Sequence, residues 1–190
     1  MGNETEGQIM RTDIKLTYQD YRALPEGGPR YQLIDGDLVA CSSSKFSHQE
    51  ALGRLAIALH SHIESRAMGT VVIAPFDVIL SDVNVVQPDV LFVSRARASI
   101  LRDDGVFGAP DLCVEVLSTH PELDLNTKRH LYARFGVQEY WIVDPDRKTL
   151  HVYRLQENAE APAHIHDASG LLTSILLPGF ELPLDKFFAK

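Results

Sequence analysis

The sequence predicts a mixed α/β sandwich, in which helices pack on a sheet. Three observations support this prediction: a long amphipathic segment at residues 47–68, apolar runs rich in Val, Ile and Leu at residues 70–80, 85–93 and 112–117, and turn signals between them. A helix with one apolar stripe has to pack on another element, and strands that are apolar throughout need cover on both faces. Helices and strands therefore have to share one core.

The first predicted elements are a short helix and a hairpin. The helix begins after Thr17, because Thr17 and Asp20 form a capping signal, and the Pro/Gly cluster at residues 25–29 ends it. Residues 31–40 predict a β-hairpin, because an Asp-Gly turn signal interrupts their apolar residues.

The clearest helix is predicted at residues 47–68. The capping box Ser47-His48-Gln49-Glu50 predicts its start, and Gly69 predicts its end. One apolar stripe predicts the face that packs on the sheet. The residues of this stripe are Leu52, Leu55, Ala56, Leu59 and Ile63.

The remaining elements are strands and a second helix. Residues 70–80 and 85–93 predict two strands joined by a turn at residues 81–84, and residues 112–117 predict a third strand. The last predicted elements are a helix at residues 121–135 that ends at Gly136 and a hairpin with strands at residues 139–143 and 149–155.

Size and composition predict one compact domain. The chain has 190 residues, of which 45% are hydrophobic and 23% are charged, a balance that supports a full core. We expect a flexible N-terminus at residues 1–12 and a single domain at residues 13–190. No apolar run approaches the ~20 residues that span a bilayer, and the N-terminus lacks the features of a signal peptide. We therefore expect a cytoplasmic protein with no membrane partner.

Charge and cysteine content restrict the function classes further. Eighteen Lys and Arg against 26 Asp and Glu give a net charge of −8, so the surface repels nucleic acid at long range and a polyanion would need a local basic patch. Cys41 and Cys113 are too few for a disulfide framework and are not spaced as a metal pair, so we expect two buried thiols. The arginines that could form a basic patch are Arg95, Arg97, Arg102 and Arg129.

Two acidic residues interrupt apolar strands. Asp89 follows Pro88 at the start of an apolar run, and Glu115 has apolar residues on both sides. A buried carboxylate needs a partner, a metal ion or a shifted pKa. Each acid alone could be structural, but carboxylates from two neighbouring strands can converge at a sheet end and hold a divalent cation.

A lysine on the second predicted helix points the same way. Lys128 lies three residues after Leu125 and four before Tyr132, so its side chain starts on the apolar, inward face. One interpretation is an ion pair with Asp124 and an ammonium group that reaches solvent. The other is an ammonium group that reaches Glu115 and orients a water molecule at the predicted metal site.

Two further features are secondary candidates. His48, in the first turn of the long helix, could donate to a phosphate or a carboxylate, or could be a surface cap residue. The polar loop Ser42-Ser43-Ser44-Lys45 could contact a substrate, although such loops are usually connectors.

Several motifs in a fixed order carry a resemblance to a known family. They are Tyr31-Gln32-Leu33-Ile34-Asp35-Gly36-Asp37, Gln87-Pro88-Asp89, residues 109–118, Lys128, Tyr132, residues 136–145 and Leu177-Pro178-Gly179-Phe180. With these motifs, the chain resembles over about residues 15–188 the Uma-type family of putative restriction endonucleases, which is assigned to the PD-(D/E)XK nuclease superfamily. The resemblance implies a restriction-endonuclease-like core, a central mixed sheet flanked by helices.

The resemblance also implies roles for individual residues. It makes Asp89 and Glu115 ligands of Mg²⁺ or Mn²⁺, with the backbone carbonyl of Val116 as a third ligand. The lysine of the superfamily motif should stand two residues after the glutamate, where this chain has Leu117, and Lys128 is the natural replacement.

A second departure from the family pattern concerns Gln32. The family usually has a glutamate there, and a neutral amide binds a hard cation less strongly. Asp35 and Asp37 lie close by in sequence and could compensate, although residues of an Asp-Gly turn usually serve the turn itself.

Three functions remain open. The first is a metal-dependent endonuclease that hydrolyses DNA phosphodiester bonds, with Asp89 and Glu115 holding the cation and Lys128 positioning or deprotonating the attacking water. The second is a catalytically weakened or inactive nuclease-fold protein that acts as a binding or scaffold module, motivated by Gln32 and Leu117. The third is a carboxylate-pair hydrolase that needs neither a metal nor the lysine.

DNA is the expected partner under the first function, and a homodimer is a further expectation. The strand that contains Tyr140 and Trp141 places large aromatic side chains near what could be a sheet edge, and edges are either covered or paired. The alternative is a plain core position for Trp141.

Overall fold

Strands dominate the computed structural model, which describes residues 9–10, 14–25, 27–41, 45–118 and 121–189. In chain order, the strands are β1 (Ile9–Met10), β2 (Tyr31–Ile34), β3 (Asp37–Ala40), β4 (Gly69–Ile73), β5 (Val78–Ser81), β6 (Asn84–Val86), β7 (Val90–Ser94), β8 (Leu101–Arg102), β9 (Gly105–Phe107), β10 (Leu112–Val116), β11 (Glu139–Asp144), β12 (Thr149–Arg154), β13 (His164–His166), β14 (Leu171–Leu172) and β15 (Leu182–Pro183). The helices are α1 (Tyr18–Arg22), α2 (Phe46–Ser65), α3 (Arg129–Phe135) and α4 (Leu184–Phe187). A 3₁₀ helix at Arg95–Ile100 and a π-helical segment at Leu123–Lys128 complete the described elements.

Two large sheets and a small one form within the described ranges. One has seven strands in the order β1-β3-β2-β6-β5-β9-β8, the other has six in the order β13-β12-β11-β10-β7-β4, and β14 pairs with β15. Pairing is antiparallel except between β5 and β9 and between β10 and β11. The mixed α+β architecture that the sequence predicts is therefore confirmed, with strands divided between two large sheets.

The core has layers on both faces of the six-stranded sheet. Helices α2 and α4 pack on one face, where side chains such as Leu55, Leu59 and Trp141 are buried. On the other face, α3 and strands of the seven-stranded sheet enclose a second apolar cluster around Cys113 and Tyr140. Strand β10, paired on both sides, therefore has both faces covered, as its apolar sequence predicts.

The first helix and the hairpins confirm the sequence predictions. Thr17 and Asp20 form a complete capping box at the start of α1. Strands β2 and β3 pair around the Asp-Gly turn, and β11 and β12 pair as the predicted C-terminal hairpin. Gly136 takes a left-handed conformation (φ 91°) that ends α3, which is the backbone geometry glycine favours.

The predicted ends of the long helix are wrong, although its buried stripe is confirmed. Helix α2 begins at Phe46, so Ser47 lies inside it and does not cap it, and Lys45 at the cap position makes no side-chain capping bond. The helix ends before Ala67, which takes a positive φ of 50°. Gly69 is instead the first residue of β4. The five apolar stripe residues are all buried.

Two runs predicted as single strands each divide between the two sheets. Residues 70–80 form β4 and β5, and residues 85–93 form β6 and β7, with one strand of each pair in each sheet. Pro75 and Pro88 stand at the two divisions. Since proline has no backbone N–H and cannot continue a ladder, both prolines mark the point where the chain changes sheets.

The aromatic strand does not lie at an edge. Trp141 is fully buried in β11, which lies between β10 and β12, so the core interpretation is confirmed and the edge interpretation is wrong. Strand β1 lies within the segment 1–12 predicted as flexible, and the other residues of that segment lie outside the described part of the chain. Among the described helices, none combines the length and apolar character needed to cross a membrane.

Candidate active site

A cavity of about 1000 Å³ lies where β10, α2 and the π-helical segment approach the β2–β3 hairpin. Its lining includes all the residues that the sequence predicts as catalytic or metal-binding, together with three secondary candidates, from five separate stretches of the chain. These residues are Gln32, His48, Asp89, Glu115, Val116, Asp124 and Lys128.

Asp89 is held by one of its two carboxylate oxygens. The backbone N–H of Val116 donates to Oδ2 at 2.8 Å, and Nε2 of His48 lies 3.2 Å from the same oxygen. No described residue donates a hydrogen bond to Oδ1. The residue just before β7 is thereby fixed against β10 and the first turn of α2, with one oxygen available to a ligand.

Glu115 shows the same arrangement. Its Oε1 accepts hydrogen bonds from Nζ of Lys128 at 2.8 Å and from the hydroxyl of Tyr132 at 2.9 Å. Among the described residues, none donates to Oε2. Glu115 is 3% exposed and Lys128 4% exposed, so the ion pair is buried and the interpretation with an ammonium group in solvent is wrong.

The π-helical segment places Asp124 and Lys128 together. Oδ1 of Asp124 lies 3.1 Å from Nζ of Lys128, and the hydroxyl of Tyr140 donates to the backbone carbonyl of Asp124 at 2.9 Å. Segments of π-helix are rare and are often found at functional sites. This one turns an acid and a cation toward the sheet while Tyr140 anchors it to β11.

Negative charge exceeds positive charge in this cluster. The carboxylates of Glu115 and Asp124 contact the ammonium group of Lys128, and the charge of Asp89 also acts on that group. Burial raises the pKa of Glu115 to about 8 and also raises the pKa of Asp124, and Lys128 offsets this only in part. Burial lowers the pKa of Lys128, but Asp124 and Glu115 outweigh that effect and raise it above its ordinary value. The lysine therefore stays charged, and a divalent cation bound beside Glu115 and Asp124 would favour the ionised forms of both acids.

The two departures from the family pattern lie at the same cavity or beside it. Gln32 is buried in its wall, where Oε1 accepts the backbone N–H of Gln87 at 3.0 Å. Leu117 follows β10 and packs against the apolar cluster around Cys113. The amide of Gln32 thus links β2 to the residue that follows β6. Lys128 brings an ammonium group to Glu115 from the neighbouring π-helical segment.

Other sequence candidates lie apart from the cavity. Asp35 pairs with Arg134 at 2.6 Å, and Asp37 pairs with Lys15 at 2.7 Å, so neither compensates for Gln32. Residues 42–44 of the polar loop lie outside the described part of the chain.

The predicted basic patch does not form as a unit. Arg97 pairs with Asp111, and Arg129 contacts the carbonyls of Leu125 and Ala159. The guanidinium group of Arg102 lies over the ring of Phe107.

The two cysteines differ in their surroundings. Cys113 is fully buried, as predicted, and burial raises the pKa of its thiol. Cys41 is only partly buried and lines the cavity, so the prediction of a buried thiol holds for one cysteine of the two.

Sequence reasoning missed two parts of the cavity. The hydroxyl of Tyr132, assigned to the apolar stripe of the second helix, is a hydrogen-bond donor to Glu115. The π-helical segment also gives no signal in a helical pattern, because a π turn shifts the register of only a few residues. Arg30 and Gln87 also line the cavity, on the side of the β2–β3 hairpin.

The carboxylates fit an open site for a hard cation. Within the described residues, no group of three or more His, Cys, Asp and Glu side chains is arranged to enclose a metal ion. Mg²⁺ is usually bound by one or two carboxylates, with water and substrate phosphate completing its shell. Oδ1 of Asp89 and Oε2 of Glu115, which receive no hydrogen bond from the described residues, match this pattern.

Comparison with known proteins gives a family and a fold. Residues 18–185 match the model of the Uma2 family, described as "Putative restriction endonuclease". No curated protein matches the chain. The fold is similar to the crystal structure of a putative nuclease of DUF820 from Anabaena variabilis ATCC 29413, with a TM-score of 0.77 and 19% identity over 91% of this chain and 97% of that one. The family match covers most of the sequence, and this chain therefore belongs to the Uma2 family.

Proposed function

We propose that this protein is a metal-dependent endonuclease that hydrolyses DNA phosphodiester bonds. The observation that carries the proposal is the charge cluster in the cavity: two fixed carboxylates, each with one oxygen to which no described residue donates a hydrogen bond, beside a buried ammonium group. A phosphodiester is an anion, so a site made of carboxylates alone would repel it. A divalent cation held by those carboxylates, together with the ammonium group, reverses the local charge.

The residues that would hold Mg²⁺ or Mn²⁺ are Asp89 and Glu115, with the backbone carbonyl of Val116 as a further ligand. Bound there, the cation supplies charge neutralisation of the phosphate and a more acidic water molecule. Asp89 is kept in position by His48 and by the N–H of Val116, so its free oxygen needs no rearrangement to bind. Such preorganisation lowers the cost of reaching the transition state.

Lys128 acts in this proposal as a fixed cation and not as a base. Because Asp124 and Glu115 raise its pKa, it keeps its proton, and it can donate to the attacking water or to a phosphate oxygen. Asp124 and Tyr132 hold the two members of the Lys128–Glu115 pair. The sequence leaves two roles open for Lys128, which are to position the attacking water or to deprotonate it. This proposal keeps the positioning role.

The experiment is a cleavage assay on plasmid DNA with Mg²⁺, Mn²⁺ or excess chelator. We expect cleavage that requires the metal and disappears in Asp89→Ala, Glu115→Gln and Lys128→Ala variants. Glu139→Gln is the matched control, since Glu139 is a buried acid of the neighbouring strand whose partners are Trp141, Ser174 and the N–H of Ile175. Wild-type cleavage that persists in excess chelator would exclude the proposal.

A binding or scaffold role is the second candidate, and one observation favours it. The amide of Gln32 stands where the family usually has a glutamate, and it accepts a hydrogen bond from the backbone of Gln87, just after β6. In this case the cavity needs no metal, and Asp89→Asn would change the melting temperature whereas Mg²⁺ would not. A stabilisation of the wild type by millimolar Mg²⁺ that is lost in Asp89→Asn would argue against this second candidate.

A further inference from the structure

The β2–β3 hairpin forms one wall of the cavity, and an arginine lies at the outer end of that wall. Side chains alternate between the two faces of a strand, so Arg30 and Gln32 share a face of the hairpin. Val39 and Cys41 lie opposite them on the neighbouring strand, and all four residues line the cavity. Gln32 is buried and Arg30 is exposed. The wall therefore runs from an amide inside the cavity to a guanidinium group at its mouth.

The backbone holds Arg30 beside the cavity. Its carbonyl accepts the N–H of Cys41 at 2.8 Å, which extends the β2–β3 ladder by one residue pair. Burial raises the pKa of the Cys41 thiol, and the positive charges of Lys128 and Arg30 oppose that shift. The charge of Arg30 therefore reaches a side chain that lines the cavity.

Arg30 is also the cation of this cavity that no neighbouring acid neutralises. Among the described residues of the lining, Arg30 and Lys128 are the two with a permanent positive charge. Glu115 and Asp124 lie 2.8 and 3.1 Å from the ammonium group of Lys128 and share its charge. Within the described ranges, no carboxylate forms an ion pair with Arg30. An anion that enters the cavity thus meets an arginine whose N–H donors can bind it.

We propose that Arg30 binds a backbone phosphate of the DNA strand that enters the cavity, next to the phosphate at the metal site. This inference rests on the proposed function, because it takes DNA as the ligand. A guanidinium group suits the role, since its planar N–H donors can bind two phosphate oxygens at once. The chain has a net charge of −8, so a local cation at the mouth also offsets the repulsion of the strand.

The depth of the two sites explains why two different phosphates are bound. The phosphate that is cleaved has to reach Asp89 and Glu115 inside the cavity, whereas Arg30 is exposed at the mouth. Every nucleotide of a strand has a phosphate, so a strand that reaches the buried carboxylates also places a phosphate at the mouth. Arg30 is therefore expected to act on DNA binding and not on the chemical step.

Fluorescence anisotropy of a short labelled DNA duplex tests the contact when Ca²⁺ replaces the cations that are expected to support cleavage. We expect Arg30→Ala to raise the dissociation constant about tenfold, because a hydrogen-bonded charge pair is lost. The slope of log Kd against log salt concentration should fall by about one, as expected for one lost phosphate contact. Arg30→Lys should keep the wild-type slope but bind more weakly than the wild type, because lysine lacks the planar donor pair.

Arg95→Ala is the matched control. Arg95 is also an exposed arginine that forms no ion pair in the part of the chain that the structure describes. It follows β7 at the end remote from Asp89 and does not line the cavity. Its removal changes the net charge by the same amount as Arg30→Ala, and it should change the dissociation constant by less than about twofold, because distant exposed charges are screened. Both alanine variants should melt at the wild-type temperature.

Cleavage kinetics provide a second measurement. In the cleavage assay, Arg30→Ala should raise KM and leave kcat within a few-fold of the wild type, as expected for a residue that binds substrate and transition state equally. The inference is overturned if Arg30→Ala binds with the wild-type affinity and salt dependence, if Arg95→Ala weakens binding as much, or if the wild type binds no DNA. A wild type that binds DNA through Arg30 but does not cleave it would refute the endonuclease proposal and support this inference.

Discussion

The two ends of strand β10 each have a buried carboxylate, and the two are used differently. Asp111, just before the strand, has both oxygens occupied: Oδ2 accepts the N–H of Ser94, and Oδ1 accepts from Arg97 and Gln138. Glu115, near the other end, faces the cavity, and the donors that the described part of the chain supplies all reach its Oε1. Asp111 does not line that cavity.

This difference separates a structural acid from a candidate ligand. Burial is the same at both ends, since each acid is 3% exposed, so burial alone marks neither as functional. Asp111 joins a strand, a 3₁₀ helix and a loop, and its negative charge is met by Arg97. Glu115 shares one ammonium group with Asp124, and no residue in the described ranges donates to its Oε2. That oxygen and the shared ammonium group are what indicate a cation site.

The largest expected effect is on cleavage. Glu115→Gln should lower the rate by about a thousandfold or more, because it removes a charged ligand that acts on the transition state. Asp111→Asn should leave the rate within a few-fold of the wild type. A DNA cleavage assay at saturating Mg²⁺ compares them. Equal losses in both variants would show that the two ends of β10 do not differ.

Removal of the buried ammonium group should have the next largest effect. Lys128→Met leaves Glu115 and Asp124 without their cation, and we expect a loss of about 3–5 kcal/mol in the free energy of unfolding. Arg97→Met at the other end should cost about 1 kcal/mol or less, since that guanidinium group is one-third exposed. Urea denaturation measures both. A loss for Lys128→Met no greater than that for Arg97→Met would be inconsistent with this interpretation.

His48 contacts the candidate metal ligand Asp89, and Gln138 donates a hydrogen bond to the structural acid Asp111. Removal of these two side chains should have different effects on the cleavage rate. His48→Ala should slow cleavage by about 10- to 100-fold, because the imidazole positions Asp89, and His48→Gln should recover part of the rate through its amide N–H. Gln138→Ala, which removes a donor to Asp111, should leave the rate unchanged. Steady-state rates of the three variants decide this, and a rate for His48→Ala equal to that of the wild type would contradict the positioning role.

A smaller effect, on the stability of the protein, is expected from a change at Asp111, the structural acid before β10. Asp111→Asn should cost about 1–3 kcal/mol in the free energy of unfolding, because donors that now point at a carboxylate would meet an amide. Its thermal stabilisation by Mg²⁺ should match that of the wild type. Differential scanning fluorimetry with and without Mg²⁺ measures both quantities. A variant that loses its response to Mg²⁺ would place the cation at the wrong end of β10.

The sequence predicts the elements better than it predicts which sheet they join. Periodicity and capping signals identify α1, the stripe of α2 and both hairpins, because these depend on residues close in the chain. The division of residues 70–80 between two sheets depends on long-range pairing. Pro75 is visible in the sequence, but its consequence appears only when both sheets exist.

The sequence predicts which residues form the candidate site, but not the hydrogen bonds that hold them. Asp89, Glu115 and Lys128 stand out because a charge in an apolar run is costly without a partner. Local patterns do not encode the hydrogen bond from Tyr132 to Glu115 or the one from the backbone of Gln87 to Gln32, because both depend on tertiary geometry. They do not encode the π-helical segment either. The contrast between Asp111 and Glu115 is of the same kind, since both appear in the sequence as acids beside an apolar strand.

The most direct test is the anomalous scattering from a crystal soaked in Mn²⁺. We expect one strong peak in the cavity, within about 2.0–2.3 Å of an oxygen of Asp89 and of Glu115, as is usual for oxygen ligands of such cations. Crystals of Glu115→Gln should lose the peak, and crystals of Asp111→Asn should keep it. No peak at these carboxylates in well-ordered crystals, or a peak that remains in Glu115→Gln, would contradict a cation site built on this end of β10.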